Sequence, residues 1–278
     1  MATATQAGLI ARDIKPNIGS TVANSKEDLL SGRHSAEIRD LLERRGVIHF
    51  PGIAMTDEEQ VAFTRTLGET AKERTGDEVF TISLDPEKSS GVEYLKGAFY
   101  WHFDGVIQAK PILASILSAK VLPATGGNTE FCNTYAAYDA LSDEDKARFA
   151  NLRVIHSNWA PLLYHSPEPS QQQLEMFASF GEIELPLVWT HQSGRKSLVL
   201  GCTATQVVGM GRMESTLLLN RLREWATGEP FHYSHKWAKG DMLMWDNTGT
   251  LHRATPYPIE SGRELHRTKL EGEEPIAA

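Results

Sequence analysis

The 278-residue chain contains little cysteine, only Cys132 and Cys202, and neither sits in a CxxC or Cys/His zinc spacing. A disulfide framework and a cysteine-based zinc site are thereby excluded. Two reduced, buried thiols of a cytosolic protein are expected instead. No apolar run approaches the length of a membrane span. The first fourteen residues have no positive segment followed by an apolar stretch, so no export signal is visible and a cytoplasmic location is expected. A basic stripe is also missing. The formal net charge is −8, with acidic and basic residues interleaved, which argues against nucleic acid as a partner. There is no internal repeat and no low-complexity linker. One domain over residues 1–278 is therefore expected.

Hydrophobic residues make up 41% of the chain, enough for a sizeable core. Ser35 is placed to cap a helix whose apolar face is Ile38, Leu41 and Leu42, stopped by Gly46. A short buried strand at 47–50 follows, ended by Pro51-Gly52. Thr56 and Glu59 form a capping-box pattern opening a helix through Val61 and Leu67. Residues 69–97 are weakly patterned, with only 79–84 reading as a strand; a stretch of this kind in a compact domain predicts a lid or binding loop. Beyond it the chain reads as short strands at 114–117, 153–156, 187–190, 197–200, 232–237 and 242–245, separated by turn signals. One amphipathic helix at 214–226 interrupts them. Many short strands with few helices predict a mainly β fold with flanking helices, built on a double-sheet jelly roll or barrel.

Trp101-His102-Phe103-Asp104 is the first feature with chemistry in it. On an extended backbone residues two apart share a face, so His102 and Asp104 can offer an imidazole nitrogen and a carboxylate oxygen to one metal ion. His252, beyond Trp245-Asp246-Asn247, would add a third ligand from a distant strand. Two histidines and one carboxylate on one face of a metal leave three positions open, the facial triad of non-haem iron(II) oxygenases. Taken singly, His252 also reads as a satisfied core histidine. Arg263 lies eleven residues after His252 and Arg267 fifteen after it. An arginine fork binds a carboxylate bidentately, and Thr129 could add a hydroxyl donor. The alternative is two surface arginines, with Arg267 paired to the acidic tail at Glu271, Glu273 and Glu274.

From residue 17 to 270 the sequence resembles the TauD/TfdA-type 2-oxoglutarate dioxygenases. The resemblance is carried in order by Arg45-Gly46-Val47-Ile48-His49-Phe50, the segment from Gly126-Gly127-Asn128-Thr129 to Leu141, Gly240-Asp241, Trp245-Asp246-Asn247, His252-Arg253 and Arg263-Glu264-Leu265. It is closer to the 2,4-dichlorophenoxyacetate dioxygenase branch than to the taurine branch, most clearly over 126–141. It implies a jelly-roll core, a homo-oligomer, and iron(II) with 2-oxoglutarate and O₂ as cosubstrates, yielding succinate and CO₂. Matched residue by residue, it implies His102, Asp104 and His252 as iron ligands, Thr129 and Arg263 as holders of 2-oxoglutarate, and Arg267 as the partner of a substrate carboxylate or sulfonate. An intact Asp104 excludes the halogenating variant of the site. Phe103 and Tyr100 flank the metal motif with aromatic surface for a small anionic substrate. The chain departs from the herbicide branch at Gly105-Val106, Thr203 and Gln206. Those departures put the herbicide substrate in doubt. The other readings are a biosynthetic hydroxylase or desaturase of an amino-acid-like or terpenoid acid, and a non-catalytic jelly-roll protein that binds a metal or ligand. His34, His165 and His232 read as surface or structural.

Overall fold

The computed structural model describes residues 8–73, 75–88 and 92–277; residues 74 and 89–91, within the segment read as a lid, lie outside it. The chain opens with β1 (Ala11–Asp13) and β2 (Ser20–Val22), then α1 (Lys26–Leu30), α2 (Ser35–Arg45), β3 (Val47–Phe50) and α3 (Asp57–Leu67). After β4 (Phe80–Ile82) and the one-turn α4 (Val92–Leu95) come β5 (Ala114–Val121) and β6 (Thr129–Asn133). Short helices α5 (Thr134–Asp139) and α6 (Asp143–Phe149) precede β7 (Arg153–Ser157), and α7 (Ala160–His165) and α8 (Gln171–Ala178) follow it. Strands β8 (Glu182–Pro186), β9 (Val188–Thr190), β10 (Lys196–Leu198) and β11 (Ala204–Val207) lead to the long α9 (Arg212–Ala226). The chain closes with β12 (His232–His235), β13 (Met242–Asp246), β14 (Thr250–Ala254) and β15 (Glu264–Leu270).

A seven-stranded sheet runs β1-β2-β3-β13-β5-β15-β4, antiparallel except for β2 beside β3. A three-stranded sheet, β12-β6-β14, stacks on it. Strand alternation decides what lies between them. Ile48, Phe50, Ile116, Met242 and Met244 point to α1–α3 and pack with Leu29, Ile38 and Phe63. Their neighbours Val47, Leu117, Leu243, Trp245 and Leu265 point the other way and meet Phe131 of the smaller sheet and Trp237 just beyond β12. Each such side chain contributes roughly 1.5–3 kcal/mol by leaving water. The result is the expected jelly roll, with helices covering its larger sheet.

The outlying sheets β11-β7-β8 and β10-β9 share a third core with α9 that includes Trp101, Phe103, Trp189 and Leu222. The α2 helix ends at Gly46, whose φ of 73° only glycine adopts without strain. Its N-cap is His34 rather than Ser35; the Ser35 hydroxyl donates instead to the Gly32 carbonyl. The α3 helix has both halves of the Thr56–Glu59 capping box. Both cysteines are buried and free, their thiols pushed up to about 12 by burial. Among the described residues, no helix is long and apolar enough to cross a membrane.

Candidate active site

His102 lies outside the strands but pairs with His252 of β14 through two backbone hydrogen bonds, of 3.1 and 2.8 Å. This one-residue ladder sets the two imidazole centroids 4.2 Å apart. Asp104, two residues on, turns its carboxylate back to both. Oδ1 stands 3.8 Å from His102 Nε2 and Oδ2 stands 3.9 Å from His252 Nε2. Ligand atoms from all three residues lie within 4.8 Å of one another, a group that could hold a metal ion. His102 Nδ1 is 2.7 Å from the Tyr100 carbonyl; a proton donated there leaves the Nε2 lone pair directed at the cluster.

Two neighbours fix the backbone of this segment. Asn247 accepts from Asp104 N–H and donates to the Asp104 carbonyl, both at 2.8 Å, and its amide also reaches the Ile112 carbonyl. On the other side Cys202 N–H donates to the Trp101 carbonyl at 2.7 Å. Gly201 makes that approach possible. A Cβ there would stand 3.0 Å from the Trp101 carbonyl oxygen, at a φ of +124°. Burial alone would raise the Asp104 carboxyl, but Arg267, His252, His102 and Lys269 together hold it far below the ordinary carboxylate range. Burial, then His102, lowers His252 to about 3, so its imidazole is neutral at pH 7.

The β15 alternation brings Leu265, Arg267 and Lys269 to the inner face of the sheet. Arg267 Nη1 donates to Asp104 Oδ2 at 3.1 Å, and Nη2 lies 3.6 Å from Glu73, which also pairs with Lys269 at 2.7 Å. The acidic tail is not its partner. Glu273 pairs with Arg39, and Glu274 with His191. Arg263, just before β15, is 3% exposed, donates to the Gly127 carbonyl at 3.1 Å and stacks over Tyr257 at 4.7 Å. A Cβ on Gly127 would come within 3.0 Å of Arg263 Nε, so the glycine leaves room for the guanidinium. Among the described residues no carboxylate pairs with Arg263, and its Nε is buried without a partner. Thr129 Oγ1 accepts from Trp237 Nε1 at 3.0 Å. Tyr100 donates its hydroxyl to the Tyr164 carbonyl, and Phe103 is buried in the core with Trp101 and Val106.

The residue pattern did not single out Asn247, Glu73, Trp237 or Tyr257 as neighbours of this region. Asn247 was visible only within the Trp-Asp-Asn triplet. The partners of Glu73 and Trp237 are remote in sequence, and Tyr257, six residues before Arg263, carries no pattern that marks the contact.

The chain has relatives among known proteins. The chain matches the family described as taurine catabolism dioxygenase TauD, TfdA family, over residues 11–269. It belongs to the TauD/TfdA family. It is 34% identical to the alpha-ketoglutarate-dependent 2,4-dichlorophenoxyacetate dioxygenase of Cupriavidus pinatubonensis, over 86% of this chain and 90% of that one. It is 30% identical to the alpha-ketoglutarate-dependent sulfate ester dioxygenase of Pseudomonas putida, over 99% and 94% respectively. The crystal structure of AAD-2 in complex with Mn(II) and N-oxalylglycine superposes with a TM-score of 0.81 at 31% identity, covering 97% of this chain and all of that one. This TauD/TfdA protein is therefore a 2-oxoglutarate-dependent non-haem iron dioxygenase. It uses iron(II), 2-oxoglutarate and O₂, hydroxylates a small organic substrate and releases succinate and CO₂.

Thr203 and Gln206, two positions expected to differ from the phenoxyacetate branch, are engaged internally. Thr203 Oγ1 lies 2.9 Å from Nδ1 of the buried His156, whose pKa burial lowers to about 3. Gln206 donates to the Val207 and Met210 carbonyls.

Proposed function

We propose that His102, Asp104 and His252 hold the iron, that Arg263 and Thr129 hold 2-oxoglutarate, and that Arg267, with Tyr100 and Phe103 flanking the metal motif in sequence, receives a small carboxylate or sulfonate substrate. The carrying observation is Arg263: a buried guanidinium beside the jelly-roll interior, with an unpartnered Nε and, among the described residues, no carboxylate to neutralise it. A buried cation of this kind is costly unless an anion meets it. The distal carboxylate of 2-oxoglutarate supplies one in the bidentate geometry that arginine favours. The donor set fits iron(II): two imidazole nitrogens and one carboxylate oxygen on one side leave positions for cosubstrate and O₂. Bound iron would supply the O₂ activation that couples 2-oxoglutarate decarboxylation to C–H hydroxylation.

The chain's own residues orient and shield. The Tyr100 carbonyl fixes the His102 tautomer, and Asn247 fixes the Asp104 backbone. Arg267 places positive charge beside Asp104, where an anionic head group could replace its contact with Glu73. Relatives named for a phenoxyacetate and for sulfate esters support an anionic substrate. A single domain over residues 1–278, with 69–97 as its lid, belongs to the same proposal. The lid is supported by two ties from that segment to β15, Glu73 to Lys269 and Lys88 to Glu264.

The test is binding of 2-oxoglutarate to the iron(II)-loaded protein without O₂, read by the visible charge-transfer band. Arg263→Ala should weaken binding by roughly 2–5 kcal/mol, the usual cost of breaking a buried charge-assisted pair. His252→Ala should abolish the band. Wild-type affinity in Arg263→Ala would move the cosubstrate to another residue.

A further inference from the structure

A second cluster of two imidazoles and a carboxylate lies elsewhere in the jelly roll. It is formed by His49 of β3, His235 at the end of β12, and Asp241 immediately before β13. Asp241 Oδ1 is 3.4 Å from His49 Nε2, Oδ2 is 3.2 Å from His235 Nε2, and the two rings are 4.5 Å apart. Asp241 pairs with both rings at these distances, but neither Nε2 is aligned for a regular hydrogen bond, and both are buried. The His235 side chain is 4% exposed and that of Asp241 5%. Asp241 already accepts from Gly52 N–H on Oδ1 and from Ala238 N–H on Oδ2.

The same three groups stand where they could surround an ion. A ring nitrogen bound to a metal directs its lone pair at the metal, off the line to the neighbouring oxygen. The two distances run to different oxygens of Asp241, each facing one imidazole nitrogen, and one ligand atom from each of the three residues lies within 4.8 Å of the others. Tyr233 Oη stands 2.8 Å from His235 Nδ1, the outer partner that holds a liganding imidazole with Nε2 free. Burial, then His49, lowers His235 to about 4, so this ring is neutral and its lone pair available. Trp237 stands edge-on to His235 at 4.9 Å and closes one side.

We propose that His49, His235 and Asp241 form a structural Zn(II) site, its fourth position taken by water on the partly exposed His49 side. It would pin the larger sheet to the smaller one where β3, β12 and the turn into β13 meet. It is separate from the cluster assigned to iron and does not depend on that assignment.

The test uses the full chain, stripped with a chelator and reloaded without O₂. Competition for Zn(II) against a chromophoric chelator should show one fewer tightly held ion per chain in His235→Gln than in the wild type. Tyr233→Phe should bind that ion about 10–100-fold more weakly, the usual effect of losing an orienting partner. Co(II) should give the intense visible bands of a four-coordinate ion, lost in His235→Gln and kept in His252→Ala. Equal ion counts in wild type and His235→Gln overturn the site, as does a cobalt spectrum that His252→Ala abolishes. Should His235→Gln not fold, His49→Gln is read the same way. Absence of any four-coordinate cobalt spectrum in the wild type also overturns the proposal, leaving the cluster a set of side chains that shares protons only.

Discussion

Arg267 shows at the scale of one residue how little spacing alone settles. Its position four residues after Arg263 put both on one side of the chain, but its partners, Asp104 and Glu73, lie 163 and 194 positions away in sequence. If Arg267 receives the substrate anion, Arg267→Ala should raise the substrate KM at least about tenfold, a loss of about 1.4 kcal/mol or more. The half-saturation for 2-oxoglutarate should stay unchanged. Steady-state kinetics with both concentrations varied checks this; a loss of iron affinity with KM intact would make it a positioning residue for Asp104. Asp246 is a second case. Burial raises its carboxyl to about 6 against hydrogen bonds from Thr248 and Gly249. A folded-state pKa above the unfolded one favours the folded state at low pH, and that contribution is lost as pH rises through about 6. Asp246→Asn should remove this slope. Relative to wild type the variant should gain up to about 3 kcal/mol between pH about 4 and about 7. Urea unfolding of both proteins at the two pH values measures it, and parallel pH profiles would refute it.

Helix α3 separates what is local in an element from what is not. Its capping box could be read from Thr56 and Glu59 because both partners lie within one turn. Thr56→Ala should cost about 1 kcal/mol, seen as a lower urea midpoint with unchanged slope. Gln60, four residues on, looks like an ordinary polar helix residue but is completely buried. Its amide donates to the Ile116 and His266 carbonyls and to Thr268 Oγ1, while its carbonyl accepts from Ser118. That network ties the helix to β5 and β15, and nothing near Gln60 in sequence announces it. The strands at 153–156 and 242–245 were legible from β-branched and apolar runs, and their observed ends differ by one residue. Helices α5 to α8 were not legible. Each has eight residues or fewer, too short to display a 3.6-residue period.

On the scale of the whole molecule, the seven-stranded sheet is drawn from both ends of the chain. The early strand β3 and the late strand β13 are neighbours, and β15 sits between β5 and β4. The C-terminal tail also docks. Glu273 reaches Arg39, Glu274 receives hydrogen bonds from His191 and Gln192, and the Ala277 carbonyl accepts from Thr190 N–H. Deleting residues 271–278 should therefore lower Tm by about 4–8 °C, or roughly 2 kcal/mol at about 2–4 °C per kcal/mol. A scanning-calorimetry trace that matches the full-length protein would show the tail to be dispensable.

By itself the sequence determined the jelly-roll class, the His102-Phe103-Asp104 pair and the dioxygenase chemistry. Alternating strands, a two-residue spacing and an ordered series of motifs are all properties of the chain read in order. Only the tertiary structure decided the single bridge that sets His252 beside His102, and the meetings of Asn247 with Asp104, Glu73 with Arg267, and His49 with His235 around Asp241. Contacts of that range form when strands far apart in sequence pair and two sheets stack. The registers that bring them together arise from the packing of many side chains at once, which no short segment encodes.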